Sequence, residues 1–120
     1  MALVLVGSAV GTTLRLAGLL AFPPAPDGVP WITLFENLSG AFVLGMLAPR
    51  LLEREGAALL VGTGILGSYT TFSSLALELV LLLTAGAWGA GMLYLGLSLL
   101  LGPPLALAGW AAGTPKGGTP

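Results

Sequence analysis

Four long apolar runs, separated by short polar or proline-rich stretches, take up almost the whole chain. The first extends from about Leu3 to Phe22 and stops where Pro23, Pro24, Pro26, Asp27 and Gly28 make a turn-rich connection. The second, from about Trp31 to Ala48, is opened by Pro30 and an interfacial tryptophan and closed by Pro49 with Arg50. A charged loop of Arg50, Glu53, Arg54 and Glu55 leads to the third, from about Ala57 to Leu83. After a turn at Gly86 the fourth occupies about Ala87 to Ala112; Pro103 and Pro104 fall inside it and predict a kink after Gly102. Each run has at least the roughly 17–25 residues that a helix uses to cross the hydrocarbon core. The pattern therefore predicts an all-α membrane protein, a single domain over residues 1–112 with four transmembrane helices. The remaining GTPKGGTP, residues 113–120, reads as a short polar disordered tail.

The third run breaks the rule the others follow. About 27 helical residues reach roughly 40 Å, more than one crossing requires. Its middle carries Gly62, Gly64 and Gly67 followed by Ser68, Tyr69, Thr70, Thr71, Ser73 and Ser74, poor material for an unbroken helix. A break is expected near Gly67 to Thr71, with halves Ala57–Leu66 and Phe72–Leu83 that together cross once. Non-helical backbone at membrane depth is tolerated only where protein buries it or where it lines a cavity, and its freed carbonyls are cation ligands. The competing reading of the same glycines is a flexible helix packed closely on a neighbour.

Composition narrows the class. The chain has 120 residues, of which 56% are hydrophobic and only 8% charged, where soluble domains carry about 25% charged residues. A net charge of −1 without a basic cluster argues against nucleic acid or anionic headgroups as partners. The lack of cysteine and histidine removes disulfides, thiolate nucleophiles and the usual transition-metal ligands. No basic segment precedes the first apolar run, which continues past Arg15, so a cleaved signal peptide is not expected. No constellation of metal, nucleophile and base or phosphate loop suggests an enzyme.

The few polar residues inside the runs are the candidates for chemistry. Gly7, Gly11 and Arg15 recur every fourth residue, with Gly18 beyond them, so a glycine seam and a guanidinium share a face. An arginine at the centre of a span costs about 2.5–3.5 kcal/mol, so Arg15 faces a partner or watery cavity, or snorkels to the interface. Asn37, Ala41 and Gly45 align on the second run, and Tyr94, Ser98 and Gly102 on the fourth. Glu36 and Glu78 are carboxylates at depth.

These residues carry a resemblance. GILGSYTTFSSLALE is similar to the third-helix motif of the Fluc/CrcB family of small dual-topology fluoride ion channels, matched at Gly67, Thr70, Thr71, Phe72, Ser73 and Glu78. Serine stands for a later threonine at Ser74 and leucine for the second pore phenylalanine at Leu75. VGSAVGTTLRLAG resembles the first-helix pattern, which places Arg15 at a pore vestibule. PWITLFENLSGAFVLGML resembles the second-helix pattern at Thr33, Leu34, Asn37, Gly40, Phe42 and Gly45, with Glu36 a departure from an aliphatic position. A carboxylate there is protonated, paired with a basic group, or turned away from the pathway.

The resemblance implies a fluoride channel of the cytoplasmic (inner) membrane that exports fluoride and works only as an antiparallel dimer. It implies a structural sodium ion held by main-chain oxygens of Gly67 and Thr70. The fluoride pathway would comprise Asn37, Thr71, Phe72, Ser73, Tyr94 and Ser98, with Arg15 and Glu78 as vestibule or pairing charges. A small anion holds its water tightly, so neutral hydrogen-bond donors and the positive edge of a phenyl ring are suitable replacements. Homodimer and heterodimer with a related subunit both remain open. Arg50, Arg54 and Lys116 fall on the side of both termini, which favours cytoplasmic termini and one fixed orientation. Two readings compete: a small proton-coupled exporter, which Glu36 and Glu78 would serve, and a non-conducting partner subunit, suggested by Leu75.

Overall fold

The computed structural model describes residues 1–116; positions 117–120 of the predicted tail lie outside the described residues. Its first two spans are α1 (Ala2–Ala21) and α2 (Trp31–Leu51). The third crosses as a composite from Glu55 to Thr84: α3 (Glu55–Ala57), a π-helical stretch (Ala58–Leu66), α4 (Gly67–Tyr69), two extended residues and α5 (Phe72–Thr84). The last is α6 (Trp88–Gly113). All four are long and apolar enough to cross a membrane, and the described residues contain no strand. The protein is an all-α, multi-pass membrane protein.

Local chemistry accounts for most boundaries. α5 ends in a glycine cap: Gly86 has φ +80, its N–H donates to the Leu83 carbonyl at 3.1 Å, and the Ala87 N–H donates to the Leu82 carbonyl at 2.9 Å. That pair of bonds is the Schellman arrangement, which needs a residue free to be left-handed. Pro49 does not close α2 as expected. In the last turn a proline removes only the bond to Gly45, and the Leu52 N–H still donates to the Ala48 carbonyl at 3.0 Å. Pro103 and Pro104 lie inside α6, as their place within the fourth apolar run implies.

Two seams of glycine set the packing. α2 and α6 share the most extensive contact, and α1 with the π-helical stretch the next. A Cβ on Gly45 would strike the backbone carbonyl of Ala106, and one on Gly109 the carbonyl of Phe42 and the amide of Met46. On the other seam, Gly7 and Gly11 lie against the main chain of Leu60, Gly64 and Ile65. Small residues let the backbones approach closely, which replaces the hydrophobic drive that lipid does not supply.

The apolar core is small: Val29, Leu34, Leu75, Leu82 and Tyr94. Large apolar side chains stand exposed along every span, among them Leu20, Phe72 and Leu100. Lipid or another protein surface must cover them. The chain measures 51 × 32 × 20 Å. Helices with side chains are ~10–12 Å across, so the short dimension holds two layers and leaves no room for a channel encircled by one chain.

Candidate functional site

The third span is interrupted at Thr70 (φ −80, ψ 152) and Thr71 (φ −152, ψ 119), both extended, while Gly67 remains helical at φ −62, ψ −28. The interruption is thus narrower than the Gly67 to Thr71 window. In an unbroken helix the Thr71 N–H would serve the Gly67 carbonyl and the Ser74 N–H the Thr70 carbonyl. Here the Thr71 N–H donates to Asn37 Oδ1 at 2.6 Å, and the Ser74 N–H donates to Thr71 Oγ1 at 3.1 Å. Both carbonyls lose their helical donors.

Asn37 returns the contact, its Nδ2 donating to the Thr71 carbonyl at 3.1 Å. One amide on α2 therefore grips both polar groups of a single residue, standing in for the helix bonds that the extended backbone forgoes. Gly40, one turn further along α2, makes the approach possible: a Cβ there would collide with Thr70 Cγ2 and lie 3.3 Å from the Tyr69 ring. Ser39 and Tyr69 share a hydroxyl hydrogen bond at 3.1 Å beside it. Thr71 is also the N-cap of α5, and its hydroxyl lies 3.2 Å from Ser73 Oγ and 3.3 Å from Ser74 Oγ.

A cavity of about 290 Å³ runs beside the break, lined by Asn37, Thr70, Thr71, Phe72, Leu75 and Ser98, with Leu38, Leu99 and Gly102 completing the wall. No lining residue is charged. Phe72 is 81% exposed, the most open large side chain of this region. Ser98 donates its proton to the Tyr94 carbonyl at 2.8 Å, so it meets the cavity with oxygen lone pairs unless it turns. Ser73 is exposed at the edge of the break.

Tyr94, on the same face of α6 as Ser98 in the sequence, lies elsewhere. It is fully buried and donates to Glu78 Oε2 at 2.6 Å. Thr33 donates to Glu78 Oε1 at 2.7 Å, so both carboxylate oxygens are held by neutral hydroxyls from different helices. Nothing in the sequence pattern alone gives Thr33 a role of its own. The available signal was its position four residues before Asn37, which puts both on the α2 face that meets the third span. Arg15 is half-buried on α1. Glu36 is 1% exposed, absent from the cavity lining and, among the described residues, without a hydrogen-bond partner on either oxygen. Of the three states open to it, turning away from the pathway describes its position.

Residues 2–110 match the family described as CrcB-like protein, Camphor Resistance (CrcB). The chain belongs to the CrcB family. This CrcB chain is 42% identical over 117 residues to a protein of Hyphomonas neptunium, with 92% of each chain covered. It is 41% identical over 115 residues to one of Thermus thermophilus, again covering 92% of each. A protein of Cutibacterium acnes is 40% identical over 111 residues, covering 87% of the CrcB chain and 78% of the relative. The first two carry the name fluoride-specific ion channel FluC and the third FluC 1. The resemblance seen in short motifs thus extends over nearly the full length.

Proposed function

We propose that this protein is a fluoride-selective ion channel, a transporter and not an enzyme, which lets fluoride leave the cytoplasm across the inner membrane. The observation that carries the reading is the uncharged cavity at the helix break, lined by Asn37, Thr71, Phe72 and Ser98. Stripping water from a small anion demands donors, yet a lysine or arginine at the same place would hold the ion too long for conduction. Asn37 spends one Nδ2 hydrogen on Thr71 and keeps the second for an ion. Phe72 offers the positive edge of a ring. Thr71 and Ser73 supply hydroxyls, and Ser98 joins them once it turns from its own helix. Tyr94 and Glu78 support the wall from behind, by the 2.6 Å bond between them.

The cavity is open on one side and Phe72 stands uncovered, so the path is completed by a second, oppositely oriented subunit. Two helix breaks would then meet at the subunit contact. The Gly67 and Thr70 carbonyls, deprived of their helical donors, suit a hard monovalent cation that takes neutral oxygen ligands. A sodium ion there would be part of the fold and not the cargo, supplying positive charge that holds two breaks together. Arg15 adds the positive charge of a vestibule.

Flux from liposomes tests the function. The reconstituted protein, with whatever subunit it requires, should release fluoride and retain chloride. Phe72→Ala should slow fluoride release at least tenfold while leaving thermal stability unchanged, since the ring is exposed within the chain. Equal release of chloride, or wild-type flux in the variant, would refute the proposed pathway.

A further inference from the structure

One buried ionisable side chain has no task in that pathway. Glu36 is 1% exposed and neither of its oxygens meets a donor among the described residues. Polar or charged groups stand on several of the elements that contact α2. On α1, Gly18 lies directly against Glu36 Oε1, and Arg15, one turn away, is within electrostatic reach without a hydrogen bond. On α2 itself, Thr33 is one turn earlier, 1% exposed and bonded to Glu78 of α5. Tyr94 of α6 holds the other Glu78 oxygen. On the α4 side, Tyr69 bonds Ser39, whose hydroxyl also donates to the Glu36 carbonyl at 3.3 Å. Glu78 lines a cavity of about 140 Å³ beneath Pro24, Pro26 and Pro30, so this polar core opens toward the loop between α1 and α2.

We infer that Glu36 and Glu78 form a proton-binding site that fills and empties from the Pro24–Pro30 end, with Glu78 the entry and Glu36 the buried acceptor. A bare carboxylate away from water is costly, and Glu36 has none of the hydroxyl donors that satisfy Glu78. A metal ion would demand several oxygens converging on it, and no group of three or more acidic side chains able to hold one exists among the described residues. A proton needs a single oxygen. The step moves one proton and no electrons: solvent in the cavity gives it to a Glu78 oxygen, then the O–H bond on Glu78 breaks as the one on Glu36 forms. Thr33 and Tyr94 then bond the restored Glu78 carboxylate. Thr33, one turn before Glu36 on α2, bonds Glu78 directly and so ties the two acids to one polar core.

Infrared difference spectra of the reconstituted full chain, acid minus alkaline buffer, test this without reference to fluoride. The wild type should show a protonated-carboxyl band that Glu36→Gln, an isosteric change, removes. Glu78→Gln should keep the Glu36 band but slow its response to a pH jump several-fold. Independently, a lipid-soluble carbodiimide should label Glu36 of the wild type in acid buffer and several-fold less in alkaline buffer, read by mass spectrometry of the peptide. This second measurement stands even if a variant fails to fold. A band unaltered by Glu36→Gln, or labelling that is absent or independent of pH, would overturn the inference. Replacing sodium and potassium with a bulky organic cation should leave the titration in place; a titration that moves with sodium makes the ligand a metal ion and overturns the proton assignment.

Discussion

Asn37 does with one amide what a run of helix bonds does elsewhere, so the substitution that separates its two contacts is informative. Asn37→Asp keeps an acceptor for the Thr71 N–H but turns an oxygen toward the Thr71 carbonyl, where Nδ2 donated at 3.1 Å. The lost donor and the added repulsion should lower stability by about 1–3 kcal/mol and suppress flux, checked by thermal unfolding in detergent beside liposome release. Thr33 and Tyr94 invite a paired test, because each satisfies one oxygen of the same carboxylate. Thr33→Val and Tyr94→Phe should each cost about 1–3 kcal/mol, and the double variant should depart from their sum, since both act on the Glu78 carboxylate. Additive costs would mean that Glu78 is not their shared partner. At this scale the sequence was informative for Asn37, Thr71, Phe72 and Ser98, which do converge on one cavity. It was not for Tyr94, because fourfold spacing shows which helix face a residue shares but not which neighbour that face meets. Thr33 is silent in the sequence for a related reason: a threonine in an apolar helix reads the same whether it bonds its own turn or a carboxylate across the core.

Helices and their interruptions were legible where composition changed and silent where it did not. The shift from leucine to glycine and hydroxyl residues marked the break, and the two carbonyls expected to be freed are those whose helical donors the structure diverts. The π-helical stretch over Ala58–Leu66 left no mark, because in a segment that is almost wholly apolar no periodicity remains to distinguish five-residue from four-residue bonding. Pro49 misled in the opposite sense, since α2 runs through it to Leu51. Two element-scale predictions follow from the contacts. Thr71→Ala removes the N-cap of α5 and should destabilise the chain by about 0.5–2 kcal/mol, visible as earlier proteolysis or exchange in α5. Gly109→Ala pushes a methyl into the backbone of Phe42 and Met46 and should cost about 1–3 kcal/mol. Gly96→Ala, on the same helix with nothing within 4 Å of the added carbon, should be neutral or stabilising. Equal effects of the two alanines on thermal stability would show that the α2–α6 seam does not depend on close backbone approach.

For the whole molecule, the distribution of charge bears on which partner completes the path. A Cβ added at Gly56 would lie 3.7 Å from the Leu3 side chain, and Pro115 joins Arg50, Glu53 and Arg54 around a cavity of about 470 Å³, so the N-terminal end, the α2–α3 connection and the start of the tail meet at one end. That end carries Arg50, Arg54 and Lys116, whereas the loops at residues 22–30 and 85–87 contain no lysine or arginine. Short loops of this kind set orientation by their lysine and arginine content, and three against none favours insertion with both termini in the cytoplasm. An antiparallel homodimer requires one sequence to insert both ways with similar frequency, and this asymmetry opposes it. A related subunit of opposite orientation removes the conflict. Leu75, buried against the cavity where the resemblance to the third-helix motif leads one to expect a phenylalanine, fits such a pairing if the partner supplies the missing ring. The expected outcome for the chain expressed alone with a reporter at its C-terminus is signal from the cytoplasmic side only, and little fluoride release until the related subunit is co-expressed. Reporter signal from both faces of the membrane, together with fluoride flux from the chain by itself, would establish the homodimer and rule out an obligatory partner.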